Sequence, residues 1–250
     1  MLRLNRIAIA VLLAAGLTWA AEELREEFHK SYPLAAAGRV SLHNVNGSVR
    51  IAAWDKNEVQ VDAVKRARSQ EAMKEAEIVV DARADLIEIR TRYPEHSHRD
   101  HDSASVDYTL TVPRGARLDE IRTVNGSVEI EGAAGEVRAG SVNGAVRGLR
   151  LLGEVGLSTV NGRVEAEFER LEGKRISLKS VNGTVVVRLP QGAGLHLNAA
   201  TVHGEIDSDF DLTVRRIRFG PGRDVDTVVG GGGADVTLRT VNGSIRLQRR

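Results

Sequence analysis

The tripeptide Val-Asn-Gly recurs along this chain and limits its fold more than any other feature. It stands at residues 45–47, 124–126, 142–144, 160–162, 181–183 and 241–243, with Val202-His203-Gly204 as an altered copy. From Asn125 onward the steps are 18, 18, 21 and 21 residues, and the interval from His203 to Asn242 is 39, about two periods. Spacing of this kind marks a repeat architecture, in which each unit is one small supersecondary element.

The flanks repeat with the tripeptide. Three residues before each Val sits an apolar residue, from Leu42 to Leu238, and two residues before that another, from Val40 to Val236, with Asp119 as the exception. Two residues after each Gly comes Val or Ile, from Val49 to Ile245. The residue before the Val is Ser or Thr in six copies and Asn44 in the first. Alternation at period two predicts half-buried strands. The phase slips once, between the preceding apolar position and the Val, and since a slip of one flips every following side chain, the backbone bends there. Each unit then reads as strand, corner, strand, turn.

No unit folds alone, since each buried aliphatic side chain contributes only about 1.5–3 kcal/mol while ordering each residue costs about 1–2 kcal/mol. Stacking supplies the remainder by covering each unit with its neighbours. The expected fold is therefore all-β: a single-domain β-solenoid, parallel β-helix-like, with an irregular N-terminal capping section. An antiparallel β-meander, with Asn-Gly as a two-residue hairpin turn, is the alternative. The expected organisation is a signal peptide over 1–21, an N-terminal β section over 22–112, and solenoid repeats over 113–250. The N-terminal section carries predicted strands at 58–64, 77–82, 86–92 and 106–112, a short helix from Ser69 to Ala76 and a His-rich loop. A loop is expected from Gly220 to Gly233.

The first residues read as a secretory signal: Arg3 and Arg6, an apolar run from Ile7 to Ala20, and a Thr18-Trp19-Ala20 cleavage site. Export places the protein in the periplasm, at the cell surface or outside the cell. No second long apolar stretch follows, so no stable membrane span is expected after cleavage. Formal charge falls from +1 to −1 on cleavage, because 33 basic residues then face 34 acidic ones. That balance, with few aromatic residues, argues against nucleic acid as a partner. Without cysteines the mature chain is held by burial and hydrogen bonds.

Three features together resemble a bacterial putative-adhesin domain family of unknown function with β-helical repeats. These are the [ST]-V-N-G-x-[VI] units, the early Asn46-Gly47-Ser48-Val49-Arg50-Ile51 leading into Trp54-Asp55, and Thr111-Val112-Pro113 before the main array. The resemblance spans most of 38–250 and implies a β-helical fold and an envelope or exported location. It carries no established catalytic residues.

Candidate chemistry is sparse. Asn46, Asn125, Asn182 and Asn242 lie in N-G-[ST] sequons, but Asn143 and Asn161 lack the hydroxyl residue. The column therefore reads as structural, Asn and Gly tolerating the backbone of a tight corner and stacked amides bonding one another. The Ser/Thr column is read as bonding locally to corner backbone. His96, His98 and His101, with Asp100 and Asp102, form a metal-type cluster in a polar loop and are read as solvated, with metal binding as the alternative. Asp207, Asp209 and Asp211 begin like a calcium loop, but Leu212 and Arg218 stand at its sixth and twelfth positions. Gly230 to Leu238 echoes a calcium-binding nonapeptide in a single copy, with Thr237 where an aliphatic belongs. Glu165, Glu167 and Glu169 read as ordinary outer positions of a strand. No catalytic, cofactor-binding or metal-ligating residue is assigned. The expected function is a non-enzymatic exported scaffold that binds a protein or envelope macromolecule. The alternatives are a glycan-active β-helical enzyme and a metal-binding envelope protein acting through His96–His101.

Overall fold

The computed structural model describes residues 23–94, 103–171, 173–216 and 222–250, and in them the chain is all-β apart from one short helix. The N-terminal strands are β1 (Leu24–Pro33), β2 (Arg39–His43), β3 (Val49–Trp54) and β4 (Glu58–Ala67). Helix α1 (Gln70–Glu75) follows, capped by the Ser69 hydroxyl accepting from the Ala72 N–H, and then β5 (Glu77–Ala82), β6 (Leu86–Arg92) and β7 (Ser105–Pro113). The repeats come in strand pairs: β8 (Arg117–Asn125) with β9 (Val128–Glu131), β10 (Val137–Asn143) with β11 (Val146–Leu151), β12 (Val155–Asn161) with β13 (Val164–Phe168), β14 (Arg175–Asn182) with β15 (Val185–Leu189), and β16 (Leu195–His203) with β17 (Ile206–Ser208). The chain closes with β18 (Arg215–Arg216), β19 (Arg223–Val229), β20 (Ala234–Asn242) and β21 (Ile245–Arg249).

Each repeat places its first strand in one sheet and its second in another. One sheet runs β1-β4-β7-β3-β9-β11-β13-β15-β21-β17 and the other β18-β19-β16-β20-β14-β12-β10-β8-β2-β6-β5. The buried faces of both contribute to a single core cluster. Between units the pairing is parallel and in register, so that Val137, Ala139 and Asn143 lie beside Val155, Leu157 and Asn161. The strands on either side of an Asn-Gly pair lie in different sheets, so the pair is a corner and not a hairpin turn. The meander alternative thus fails within the repeats. Antiparallel pairing occurs at the ends, in β1–β4–β7, β5–β6 and β16–β19–β18, which makes both sheets mixed.

Spatial order departs from chain order at both ends. The pair β6/β7 lies outside β2/β3, and β20/β21 lies between β14/β15 and β16/β17. In space the rungs therefore run β6/β7, β2/β3, β8/β9, β10/β11, β12/β13, β14/β15, β20/β21 and β16/β17. Asn46 and Asn125 pair directly, so their rungs are neighbours although 79 residues separate them. The long final interval is not a further period, because the last unit returns into the stack. Beyond β6/β7, Ala72 and Met73 of α1 join the core. The Lys65 ammonium is held over the C-terminal end of that helix by the Met73 and Ala76 carbonyls, at 3.3 and 3.2 Å.

The expected loop from Gly220 to Gly233 is only partly a loop: Arg223–Val229 is strand β19, antiparallel to β16. The exception at Asp119 has a local cause. A register shift in β8 lets Leu118 take the core position beside Val137, which leaves both Asp119 and Glu120 off the core row. Such a bulge adds one residue and breaks the two-residue rhythm.

Candidate interaction face

The corner is built differently from the sequence expectation. In every repeat the Ser or Thr faces inward, at no more than 7 % exposure, while the Val after it faces out, at 37–42 % in Val124, Val142, Val160, Val181, Val202 and Val241. Period two thus continues through the hydroxyl residue, and the phase slips between Val and Asn. The buried hydroxyls are satisfied across the stack. Thr123, Ser141, Thr159, Ser180, Thr240 and Thr201 donate to the carbonyls of Gly47, Gly126, Gly144, Gly162, Gly183 and Gly243 at 2.8–3.0 Å. Thr159→Val keeps the volume but strands the Gly144 carbonyl. It is expected to cost about 1–2 kcal/mol, read as a lower urea midpoint at unchanged slope.

The Asn residues form a second ladder. Asn125, Asn143, Asn161, Asn182 and Asn242 each donate Nδ2 to Oδ1 of the Asn one rung below, at 2.8–2.9 Å, down to Asn46. His203 lies in register beside Asn242 on the last rung. None of these Asn has a positive φ, so the amide ladder and not backbone tolerance explains the residue. The Gly is explained by close approach. A Cβ on Gly126, Gly144, Gly162, Gly183, Gly243 or Gly204 would lie closer than 3.0 Å to the carbonyl oxygen of the glycine on the adjacent rung.

The rung β6/β7 carries the same scheme without the tripeptide: its strands stand where the sequence predicts them, at 86–92 and 106–112, but their place as a rung was not read. Ile87 and Ile89 pair with Val40 and Leu42, and Tyr108 and Leu110 with Val49 and Ile51. Thr91 stands in the hydroxyl column, donating to the Asn44 Oδ1 at 2.9 Å and accepting from the Tyr108 hydroxyl at 2.7 Å. Burial pushes the Tyr108 phenol well above its ordinary value. The alternating Leu86-Ile87-Glu88-Ile89-Arg90-Thr91 was the available signal. His96, His98 and His101 lie outside the described residues, as do Asp100 and Asp102 and the expected signal at 1–21.

Outside the ladders the two sheets present different surfaces. The sheet containing β9 to β15 is laced with ion pairs: Arg147 lies 3.9 Å from Glu129 and 3.5 Å from Glu165, Arg188 also meets Glu165, and Arg250 lies 3.3 Å from Glu167. These carboxylates are committed to arginines of neighbouring strands. Asp107 shows the effect on titration. Burial pushes its carboxyl up, but hydrogen bonds from the Ser48 N–H and hydroxyl and from the Arg66 guanidinium outweigh this and leave it below its ordinary value. The unfolded chain then binds that proton more readily. The contribution is complete above the ordinary aspartate pKa, about 4, and is lost as pH falls through the depressed folded value. Asp107→Asn is expected to flatten the acid limb of stability between about pH 2 and 5, followed by urea unfolding across that range.

The opposite sheet is barer. On its outer face Gly140, Gly156, Ser158 and Ser177 floor an open trough of about 590 Å³, bordered by Arg122, Arg138 and Lys179. Arg122 is paired with Glu120 at 2.9 Å and Arg138 with Glu136, whereas among the described residues Lys179 has no ion-pair partner. The exposed valines and the amide ladder run along one side of this trough. Asp207 meets Arg246 at 3.8 Å and Asp209 accepts from the Arg249 N–H at 2.9 Å, so these two carboxylates turn to separate partners. Among the described residues no three His, Asp or Glu side chains group as a metal site, and no helix is long and apolar enough to cross a membrane.

Comparison with solved structures finds a protein with this fold. A putative cell adhesion protein from Clostridium sporogenes is similar over 91 % of this chain and 100 % of its own, with a TM-score of 0.51 at 13 % identity. At that identity the likeness shows the fold. A putative adhesin from Bacteroides fragilis matches over 89 % of this chain and 97 % of its own, with a TM-score of 0.41 at 12 % identity. No family model matches the sequence, and no curated protein matches it.

Proposed function

We propose that this protein is a non-enzymatic, exported β-solenoid scaffold that presents its valine–asparagine edge and the adjoining trough to a protein or envelope macromolecule, in the manner of an adhesin. One observation carries this reading: six valines, each about two-fifths exposed, lie in register on successive rungs. Isolated exposed apolar residues need no explanation, but a contiguous row of them marks an interaction surface. Strands about 4.8 Å apart set the row's pitch, and the amide ladder beside it holds that pitch fixed. The names of the similar structures bring adhesion into the reading, and the repeat signature brings in the putative-adhesin family. Crosslinking in the native envelope tests it. The parent protein should capture a discrete partner, and Val142→Glu with Val160→Glu should abolish capture while leaving the thermal midpoint near the parent's. Capture of nothing by the parent, or unchanged capture by the variant, would count against this face.

A further inference from the structure

We propose that the C-terminal rung, β20 with β21, exchanges between two copies of this chain, each filling the slot between β14/β15 and β16/β17 of the other. In both sheets this last rung is bounded by parallel partners on both sides. Val236 lies between Ile176 and Leu197, and Leu238 between Leu178 and Ala199. Ile245 lies between Val185 and Ile206. The Thr240 hydroxyl reaches the Gly183 carbonyl while the Gly243 carbonyl accepts from Thr201. All of these contacts are indifferent to which copy supplies the strand.

What ties the strand to its own chain is the crossover from β19 to β20. These strands flank β16 on opposite sides, so residues 230–233 arch over its start. The arch needs left-handed backbone at four consecutive positions, with φ of 57°, 82°, 82° and 144° at Gly230, Gly231, Gly232 and Gly233. It also sits on Gly194, where a Cβ would collide with the Gly232 carbonyl. A run of four glycines loses much conformational freedom when fixed this way. Opening the arch into an extended link recovers that freedom while every slot contact is remade in the partner, which is the condition for domain swapping. A swapped dimer would also carry two copies of the exposed valine edge, with the gain of bivalency.

The absence of cysteine from the sequence makes the exchange directly readable. Ser177 and Thr237 are direct partners across β14 and β20, a spacing within disulfide reach. Full-length Ser177→Cys and Thr237→Cys chains, mixed unfolded and refolded together, should yield a disulfide-linked heterodimer joined 177 to 237, rising several-fold with chain concentration. The double variant refolded dilute should instead close within one chain. Monomers alone from the mixture, while the double variant closes, would overturn the exchange. Failure of the double variant to close would overturn the slot itself. Deleting Gly231 and Gly232 supplies a second reading. The two remaining glycines span about 10 Å at full extension, no more than the roughly 10 Å of two strand spacings, with nothing left to pass over Gly194. That chain should move from monomer to dimer by light scattering, and a folded monomer would overturn the proposal.

Discussion

Replacing Gly144 by alanine is expected to cost about 3 kcal/mol and to lower the melting temperature by about 6–12 °C. The added Cβ points at the Gly126 carbonyl oxygen, which is main chain and cannot turn aside as a side chain would. Relief requires the rungs to part, and parting breaks the Ser141 bond to Gly126 and the Asn143 bond to Asn125, at 2.8 and 2.9 Å, together with the backbone ladder beside them. The same geometry recurs on the neighbouring rungs, so strain at one glycine is not absorbed by slack at the next. Gly156→Ala is the control. Its Cβ would meet nothing nearer than 3.9 Å and its backbone is ordinary, so the variant should stay within about 0.5 kcal/mol of the parent. Calorimetry or urea unfolding of the pair separates the two roles of glycine. Equal losses at both positions would mean that the corner glycine serves chain flexibility and not rung-to-rung contact.

The repeat, the strand content and the stacking of like positions were legible because each leaves a periodic trace. Val137, Ala139, Val155 and Leu157 alternate as buried strands do, and in-register Asn residues announce a ladder. The direction of the corner residues was not legible, since composition pointed the wrong way. Valine is the commoner core residue and serine the commoner surface residue, yet Ser141 is buried and Val142 exposed. Strict period two from Val137 would have given the right answer. That β6 and β7 form a rung was hidden because no Val-Asn-Gly stands between them in the sequence, although Ile87, Ile89 and Thr91 keep the inward pattern. Spatial order could not be read at all. The rung at Asn242 has the same flanks as its neighbours, so it suits any slot in the stack equally, and only the β19 excursion and the glycine arch direct it back inside. Of the candidate face, the valines were visible only as part of a motif, and the trough arises from Gly140, Gly156, Ser158 and Ser177 meeting across three strands.

A chain ending at Gly233 is expected to show no cooperative unfolding transition. If the repeats were stacked in chain order, this truncation would remove an end rung, and a quasi-one-dimensional array survives that loss with its other interfaces intact. Here the missing rung is internal. Val236, Leu238, Ile245 and Leu247 are all essentially inaccessible, and together they forgo roughly 6–12 kcal/mol of burial, the order of a whole domain's stability of about 5–15 kcal/mol. Their loss also bares two core surfaces, those of β14/β15 and β16/β17, and leaves the Gly183 carbonyl and the Thr201 hydroxyl without partners. The rung at β16/β17 then has only β19 beside it in one sheet and nothing in the other. Because Asn182 and Asn242 are 60 residues apart and meet at 2.8 Å, closing this contact is a non-local event that the preceding rungs cannot replace. Circular dichroism melting and limited proteolysis distinguish the two orders. Broad melting with rapid cleavage throughout residues 175–216 fits the internal rung, whereas a sharp transition within a few degrees of the parent would place the last unit at the end of the stack.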